Sequence, residues 1–420
     1  MTYLPLDVVD SLMDVVAEED DPNLSTMKAC SLVCFDFHSL CRKRIFARIV
    51  LNDTYNIIRR PKHGWRQNMT TSKLYQLLSV SPEIGNLIRD LYYYITDEDE
   101  MESAHVLETF NYITRLDTFA IETKHQGTGS VIWTYTSLRP ALLHLLHLPT
   151  LVNFNMRSIC EFAFKDLANS HIKNFSFSST ITISPFPDDV PDSSIKLRRL
   201  IINYTPNPGV ISNICNKICV DQLSIIDFGS LEELSMYLMG SDSIYDALHL
   251  VSRCEQLVAL RLFDRDLWSP NYMSFYGFSK CLHPLLMRKL KHLEIHIRYG
   301  DDNTEDRLHC LPEELEKMAN ETRNPIEQLT IEFFVEIISG NITEKWDRFD
   351  RAFGTGWPNL RRFTLVMSLS KESTQRESRA EEVLLSVQET QFPRLSSRKS
   401  MVFDFLVQKE SDSSYDWHWP

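Results

Sequence analysis

The chain has 420 residues, 43% of them hydrophobic. That excludes wholesale disorder and suggests two domains or a repeat array rather than one ordinary core. The net charge of −13 and the small number of glycines (12) argue against a general nucleic-acid or anionic-membrane binder and against loops that cradle a nucleotide. The nine cysteines, none in a Cys-x-x-Cys pair, fit a reducing compartment where thiols pack as small apolar groups.

Residues 1–50 read as three short helices. Leu4, Val8, Val9, Leu12, Met13 and Val16 recur at helical spacing on the first. Pro5 suits its first turn, and Glu18–Asn23 ends it in a charged loop. Ser25 is the expected N-cap of the second helix, with Cys30, Val33, Cys34 and Phe37 on one face. Phe37, Leu40, Cys41 and Ile45 line the third, and Arg42-Lys43-Arg44 complements its carbonyl end. Three helices this short cannot bury all their apolar side chains against one another. The remainder must meet either the body of the chain or a foreign helix.

This stretch resembles an F-box, the module by which substrate receptors dock on a Skp-type adaptor of a cullin–RING ubiquitin ligase. Leu4-Pro5-Leu6-Asp7-Val8 stands where the family has Leu-Pro-x-Glu-Ile. Leu32-Val33-Cys34 followed by Phe37 is similar to its Leu-Val-Cys-x-x-Trp signature, with Phe for Trp and so without the indole N–H. Lys28–Cys34 is similar to the large F-box families of fungi. The resemblance covers about an eighth of the chain. It implies adaptor-binding roles for Leu4, Pro5, Val8, Leu12, Val33, Cys34, Phe37 and Leu40, some of which must also fill the module's own core.

After residue 50, Ile49–Leu51 is expected as a strand, Asn52–Thr71 as a linker and Ser72–Val80 as a helix, giving a connecting region over 51–83. From residue 84 to 408 the unit apolar-x-x-apolar-x-apolar recurs. Copies start at Ile88, Leu151, Ile172, Leu197, Val220, Leu231, Leu257, Leu290, Ile326 and Leu360, with a weaker one at Ile113. The copies at Val220 and Leu231 are too close for both to be repeat strands. Helical segments are expected between them, at Met101–Tyr112, Ser137–Leu146, Cys160–Leu167, Val210–Cys219, Ser243–Cys254, Leu311–Ala319 and Trp346–Phe353. Met401–Val407 reads as a closing strand, Ser368–Glu382 as a mobile stretch or helix, and 409–420 as a tail. The fold class is thus α/β: an F-box-like helical start followed by strand–helix units with a parallel sheet. These units resemble an irregular leucine-rich-repeat solenoid without its fixed Asn.

No catalytic set emerges. His292-Leu293-Glu294-Ile295-His296 alternates like a strand, which places His292, Glu294 and His296 on one face as polar residues rather than as a zinc-protease helix. Gly127-Thr128-Gly129 lacks a third glycine. His144 and His147 read as structural, Asp97–Glu100 as a solvated loop, and Cys30, Cys34 and Cys41 as packing residues. Residues between the repeat anchors are expected on an exposed strand face. They include Tyr92 and Tyr94, Asp117 and Phe119, Asn155 and Arg157, Ser176 and Ser178, Ile201 and Asn203, Arg261 and Phe263, Glu294 and His296, and Thr330, Glu332 and Phe334. Of these, Tyr92, Tyr94, Arg157, Arg261, Phe263, His296 and Phe334 are the candidate substrate contacts, since aromatics and Arg anchor interfaces. The expectation is a cytoplasmic or nuclear bridging subunit between adaptor and protein substrate, with no cofactor, metal, nucleic acid, membrane or bond chemistry. The alternative is a repeat scaffold outside the ubiquitin system, its N-terminal helices capping the array over residues 50–120.

Overall fold

The computed structural model describes residues 5–19, 24–52, 67–123, 131–178, 192–203, 214, 224–238, 247–264, 275–281, 288–299, 310–319, 324–335, 346–354, 356–369, 384–388 and 390–409. The chain divides into two compact units, one within Met1–Ser193 and one within Ser194–Tyr415.

The first unit opens with α1 (Leu6–Glu19), α2 (Ser25–Cys30) and α3 (Phe35–Ile45). α2 is shorter than the apolar spacing suggests. Residues 31–33 form a turn, and Cys34 is extended at the start of α3 (φ −159°). Phe37 therefore belongs to the third helix, and Cys34 stands at the position just before it. Ser25 is the first helical residue rather than the cap; Leu24 takes that place in the left-handed region (φ 56°), fully buried. Met13, Ala17, Leu24, Met27, Cys41 and Ile45 form a common core, with Val16, Phe37 and Leu40 packed on its edge.

The strands follow: β1 (Arg48–Leu51), β2 (Gln67–Met69), β3 (Asp90–Ile95), β4 (Thr118–Thr123), β5 (Val131–Ile132), β6 (Asn153–Arg157), β7 (Ile159–Cys160) and β8 (Asn174–Ser178). Six pair in parallel in the order β2-β1-β3-β4-β6-β8, and β5 pairs with β7. Helices at Thr71–Val80, Ser103–Asn111 and Arg139–Leu146 lie between strands, as parallel pairing requires of its connections.

Part of the expected linker is structural. β2 joins the sheet, and Asn52 fixes the end of β1. Its amide nitrogen donates to Thr71 Oγ1, the Tyr94 carbonyl and Asp99 Oδ2 at 3.0, 3.1 and 2.7 Å, and its oxygen accepts from Thr71 N–H. The acidic run is not a loop. Asp97–Met101 is helical, with a capping box between Thr96 and Asp99, and Glu100 accepts hydrogen bonds from Thr136 and Ser137. The segment Cys160–Leu167 holds only a short helix at Lys165–Ala168, because Ile159–Cys160 are strand.

The second unit contains β9 (Arg199–Ile202), β10 (Glu233–Leu238), β11 (Ala259–Asp264), β12 (His292–Tyr299), β13 (Gln328–Val335), β14 (Arg362–Leu369) and β15 (Val402–Lys409). They pair in parallel in chain order. Helices at Leu311–Ala319 and Asp347–Gly354 match expectation, and residues 247–251 are helical. The copy at Leu231 is the repeat strand. Ser224 and Ile226 form only isolated bridges, and Val220–Leu223 lie outside the described residues. So do Gly127–Gly129, residues 370–382 and 410–420, and Val210–Cys219 apart from residue 214.

In every copy with a described strand the anchors are in register and buried: Leu91, Phe119, Phe154 and Phe175 in the first unit, and Leu200, Leu234, Leu260, Leu293, Leu329 and Phe363 in the second. Two corrections follow. The weak copy starts at Leu116, three residues later than Ile113. Phe119 is an anchor rather than an open-face residue, aligned with Leu91 and Phe154 and 0% exposed. Helices meet the anchors through rings: Phe110 sits edge-on to Tyr93 at 5.3 Å, and Phe353 stacks on Phe363 at 4.3 Å.

Candidate functional site

Two surfaces of opposite character stand out. The first is on α1–α3. α1 carries two apolar stripes. Val9, Met13, Val16 and Ala17 turn toward the core. Val8, Leu12 and Val15 repeat at i, i+4 and i+7 on the other side and stay 46–50% exposed. Asp10 and Asp14, between the stripes, are held by Arg44 of α3 at 2.8 and 2.6 Å. Arg42 pairs with Glu83 at 2.6 Å. The basic run thus ties α3 to its neighbours as well as lying at its carbonyl end.

At the α2–α3 turn, Leu32, Val33 and Phe35 are 86, 69 and 83% exposed, and Cys34 is exposed, against the expectation that it packs. Pro5 is exposed. Phe37 and Leu40 instead lean on the helical core. Leu4 lies outside the described residues. Sequence reasoning passed over Leu6, Val15, Leu32 and Phe35. Phe35 falls on an unspecified position of the signature, so only its adjacency to Val33-Cys34 pointed to it.

The second surface is the strand face opposite the anchors. It is less exposed than expected, because neighbouring strands bring their side chains within about 5 Å of one another and short ones are screened. Tyr92, Asn155, Ser176, Ser178 and His296 are buried, and Tyr94, Arg157, Arg261, Phe263 and Phe334 are half-buried. In the first unit Tyr92 packs with Val50, Ala120 and Tyr94, and Arg157 pairs with Glu122 at 3.5 Å.

In the second unit, strand register stacks Tyr237, Phe263 and His296, and Phe334, two residues beyond the register partner Glu332, adds a fourth ring. Ring centroids are 4.3, 4.3 and 6.2 Å apart, with planes within 25°. His296 is clamped edge-on. Its Nε2 lies 2.7 Å from Glu294 Oε1 and its Nδ1 2.7 Å from Glu332 Oε2. Both ring nitrogens therefore face acceptors, which calls for the imidazolium form. Burial opposes that charge, but the two carboxylates outweigh it and raise the His296 pKa. Burial also works against ionising Glu294 and Glu332, yet His296, aided by Arg261 at the first and by Ser368 and Gln408 at the second, holds both below the usual carboxylate range.

As the alternation predicts, His292, Glu294 and His296 share a face, but His292 contacts Gln328 at 3.2 Å. Among the described residues no group of three His, Cys, Asp or Glu side chains is arranged to hold a metal ion. No helix among them is long and apolar enough to cross a membrane. His144 and His147 contact the carbonyls of Ile113 and Asp166. Compared with family models and with curated proteins, the chain matches none.

Proposed function

We propose that the protein is the substrate-recognition subunit of a Skp–cullin–F-box type ubiquitin ligase. It would dock on the adaptor through α1–α3 and present a target protein on a leucine-rich-repeat-like array, without bond chemistry of its own. The observation that carries this reading is the division of labour within the three helices. They close a core with one set of apolar residues and leave Val8, Leu12, Val33 and Cys34 open, at positions the F-box resemblance assigns to the adaptor. The capping alternative requires those residues to be covered by residues 50–120, and their exposure speaks against it. The parallel strand–helix alternation, with anchors in register, supports the repeat reading. Docking three amphipathic helices is compatible with a standard interface of roughly 1,200–2,000 Å².

The test is co-purification of the full chain with a Skp-type adaptor. Wild type retains the adaptor, and Leu12→Ser with Val33→Asp loses it. Retention by the double variant, or no binding by wild type, sinks the proposal.

A further inference from the structure

The first unit holds a cavity of about 120 Å³ where the end of β1 meets the starts of the helices Thr71–Val80 and Asp97–Met101. That is room for roughly four waters. Asn52, Asp99 and Val106 are buried at its floor, and Glu98, Glu102 and His105 are exposed at its mouth. The Tyr75 and His105 rings, stacked at 5.4 Å and 26°, form one wall.

The fixed charge lining the cavity is of one sign. Glu98, Asp99 and Glu102 contribute three carboxylates, and among the described residues no Lys or Arg lines it. Half-buried carboxylates elsewhere in the chain have basic partners, as Glu122 has Arg157 and Glu294 has Arg261. Glu98 and Glu102 have no ion pair among the described residues. Asp99 has none either, although it is only 6% exposed. Its three hydrogen bonds, from Asn52 Nδ2 and from the Thr96 amide and hydroxyl, all fall on Oδ2. Oδ1 is left without a donor among the described residues. The Tyr93 hydroxyl beside this carboxylate is buried without a hydrogen-bond partner, and its pKa is pushed up by burial first and then by the charge of Asp99.

Two helix starts border the cavity, and their positive ends would favour an anion. Their N–H groups are largely used inside the protein: Thr71 N–H donates to Asn52 Oδ1, Lys73 N–H to Thr70 Oγ1 and Asp99 N–H to Thr96 Oγ1. A partial charge of about +0.5 at each helix end does not offset three carboxylates. The cavity therefore favours a cation. Asp99 offers one free oxygen, so an arginine fork, which needs two acceptors on one carboxylate, has no match there. A lysine ammonium is compact and donates three hydrogen bonds in separate directions. Its methylene stem can lie along Val106 and the ring wall.

We propose that this cavity seats a lysine side chain of a partner peptide, the ammonium held by Asp99 Oδ1 and by Glu98 and Glu102. This deepens the receptor reading and rests on it only in taking the peptide to be part of a captured target.

The probe is a displayed library of random peptides selected on the full chain and counter-selected on the variant Glu98→Gln, Glu102→Gln, which removes peptides bound elsewhere. Affinities of a selected peptide are then measured by fluorescence anisotropy. Wild type is expected to select Lys at one fixed position. Replacing that Lys by norleucine, which keeps the stem and loses the charge, should weaken binding at least tenfold. The double Gln variant, whose changes lie at the exposed mouth, should weaken it as much while melting as wild type does. Asp99→Asn should weaken it further, with thermal denaturation of the same preparation showing that it is folded. A selection without a basic position overturns the site, as does no selection at all, or unchanged affinity in the folded double variant. Tighter binding of the peptide with Arg in place of Lys overturns the ammonium assignment. Adaptor co-purification from the same preparations reads the receptor proposal separately: its loss with peptide selection intact would remove the ligase role and leave the site standing.

Discussion

The triple variant Leu12→Ser, Val33→Ser, Phe35→Ser separates docking from folding. Fully burying side chains of this kind contributes roughly 1.5–3 kcal/mol each. Scaled by exposed fractions of 50, 69 and 83%, the three leave about 3–6 kcal/mol to be gained on docking, or about two to four powers of ten in Kd. Because they touch solvent in the free chain, their loss should change its own stability by about 0.5 kcal/mol per site or less. Met27→Ala is the opposite case. Met27 is 0% exposed in the helical core, so its truncation costs about 2–5 kcal/mol of stability. The assay is calorimetric titration of a Skp-type adaptor into the full chain, paired with thermal denaturation. The triple variant should melt within a few degrees of wild type and bind at least a hundredfold more weakly. A triple variant that binds as wild type does refutes the docking argument. One that melts as early as Met27→Ala shows that the exposed stripe supports the fold instead.

Three further outcomes follow from the buried polar groups. His296→Gln removes the cation between two carboxylates and should destabilise the second unit by about 3 kcal/mol at neutral pH. The folded pKa of His296 is raised, so this contribution is complete below the ordinary histidine range and is lost as pH rises through the folded value; the gap between wild-type and variant melting temperatures should therefore close in alkaline buffer, and a constant gap would contradict the clamp. Glu314 shows the opposite sign. Burial works against its ionisation, but Lys317 and the Ser279 hydroxyl and amide hold it at about 2, so the stability it confers should persist above the ordinary carboxylate pKa and disappear as pH falls toward 2, an acid limb that Glu314→Gln should flatten in pH-dependent melts. Asn52→Ala strips four hydrogen bonds from the end of β1 and leaves Asp99 short of a donor; a loss of about 2–3 kcal/mol in urea denaturation is expected, and a loss under 0.5 kcal/mol would rule out that keystone role.

Strands were legible wherever a run such as Leu257-x-x-Leu260-x-Leu262 combined period-two alternation with an apolar residue three positions upstream. The backbone then had one way to bury all three. The same rule failed at β4, because Ile113 and Leu116 are both apolar and both buried, so spacing alone fitted two frames three residues apart. β2 left no trace in side-chain pattern. Gln67–Met69 is strand only because the β1 backbone beside it needs a partner, and such pairing is invisible to hydropathy. Asp97–Glu100 read as solvated because four acids in a row usually are, although Thr96 three residues before Asp99 already spelled a capping box. At the candidate sites, parity placed His292, Glu294 and His296 on one face. The second carboxylate of the clamp, Glu332, is 36 residues from His296 and reaches it only through the β12–β13 register.

Isolated exposed apolar residues on a folded protein carry little meaning, so the case for the helical face rests on how α1 uses its circumference. Met13 and Ala17 are spent on the core and Val9 is buried. Asp10 and Asp14 are spent on Arg44, itself only 8% exposed. What remains is a sector where Asp7 and Ser11 supply polarity and Val8, Leu12 and Val15 do not. A surface helix that closed its own account would place Lys or Glu at 8, 12 and 15, since those substitutions cost the core nothing. A stripe at i, i+4 and i+7 is instead the geometry with which one helix receives another. The neighbouring turn adds Leu32, Val33 and Phe35 at higher exposure still. One fold element holding two complete apolar stripes, only one of them spent inside the molecule, is the physical ground on which a partner for α1–α3 is proposed.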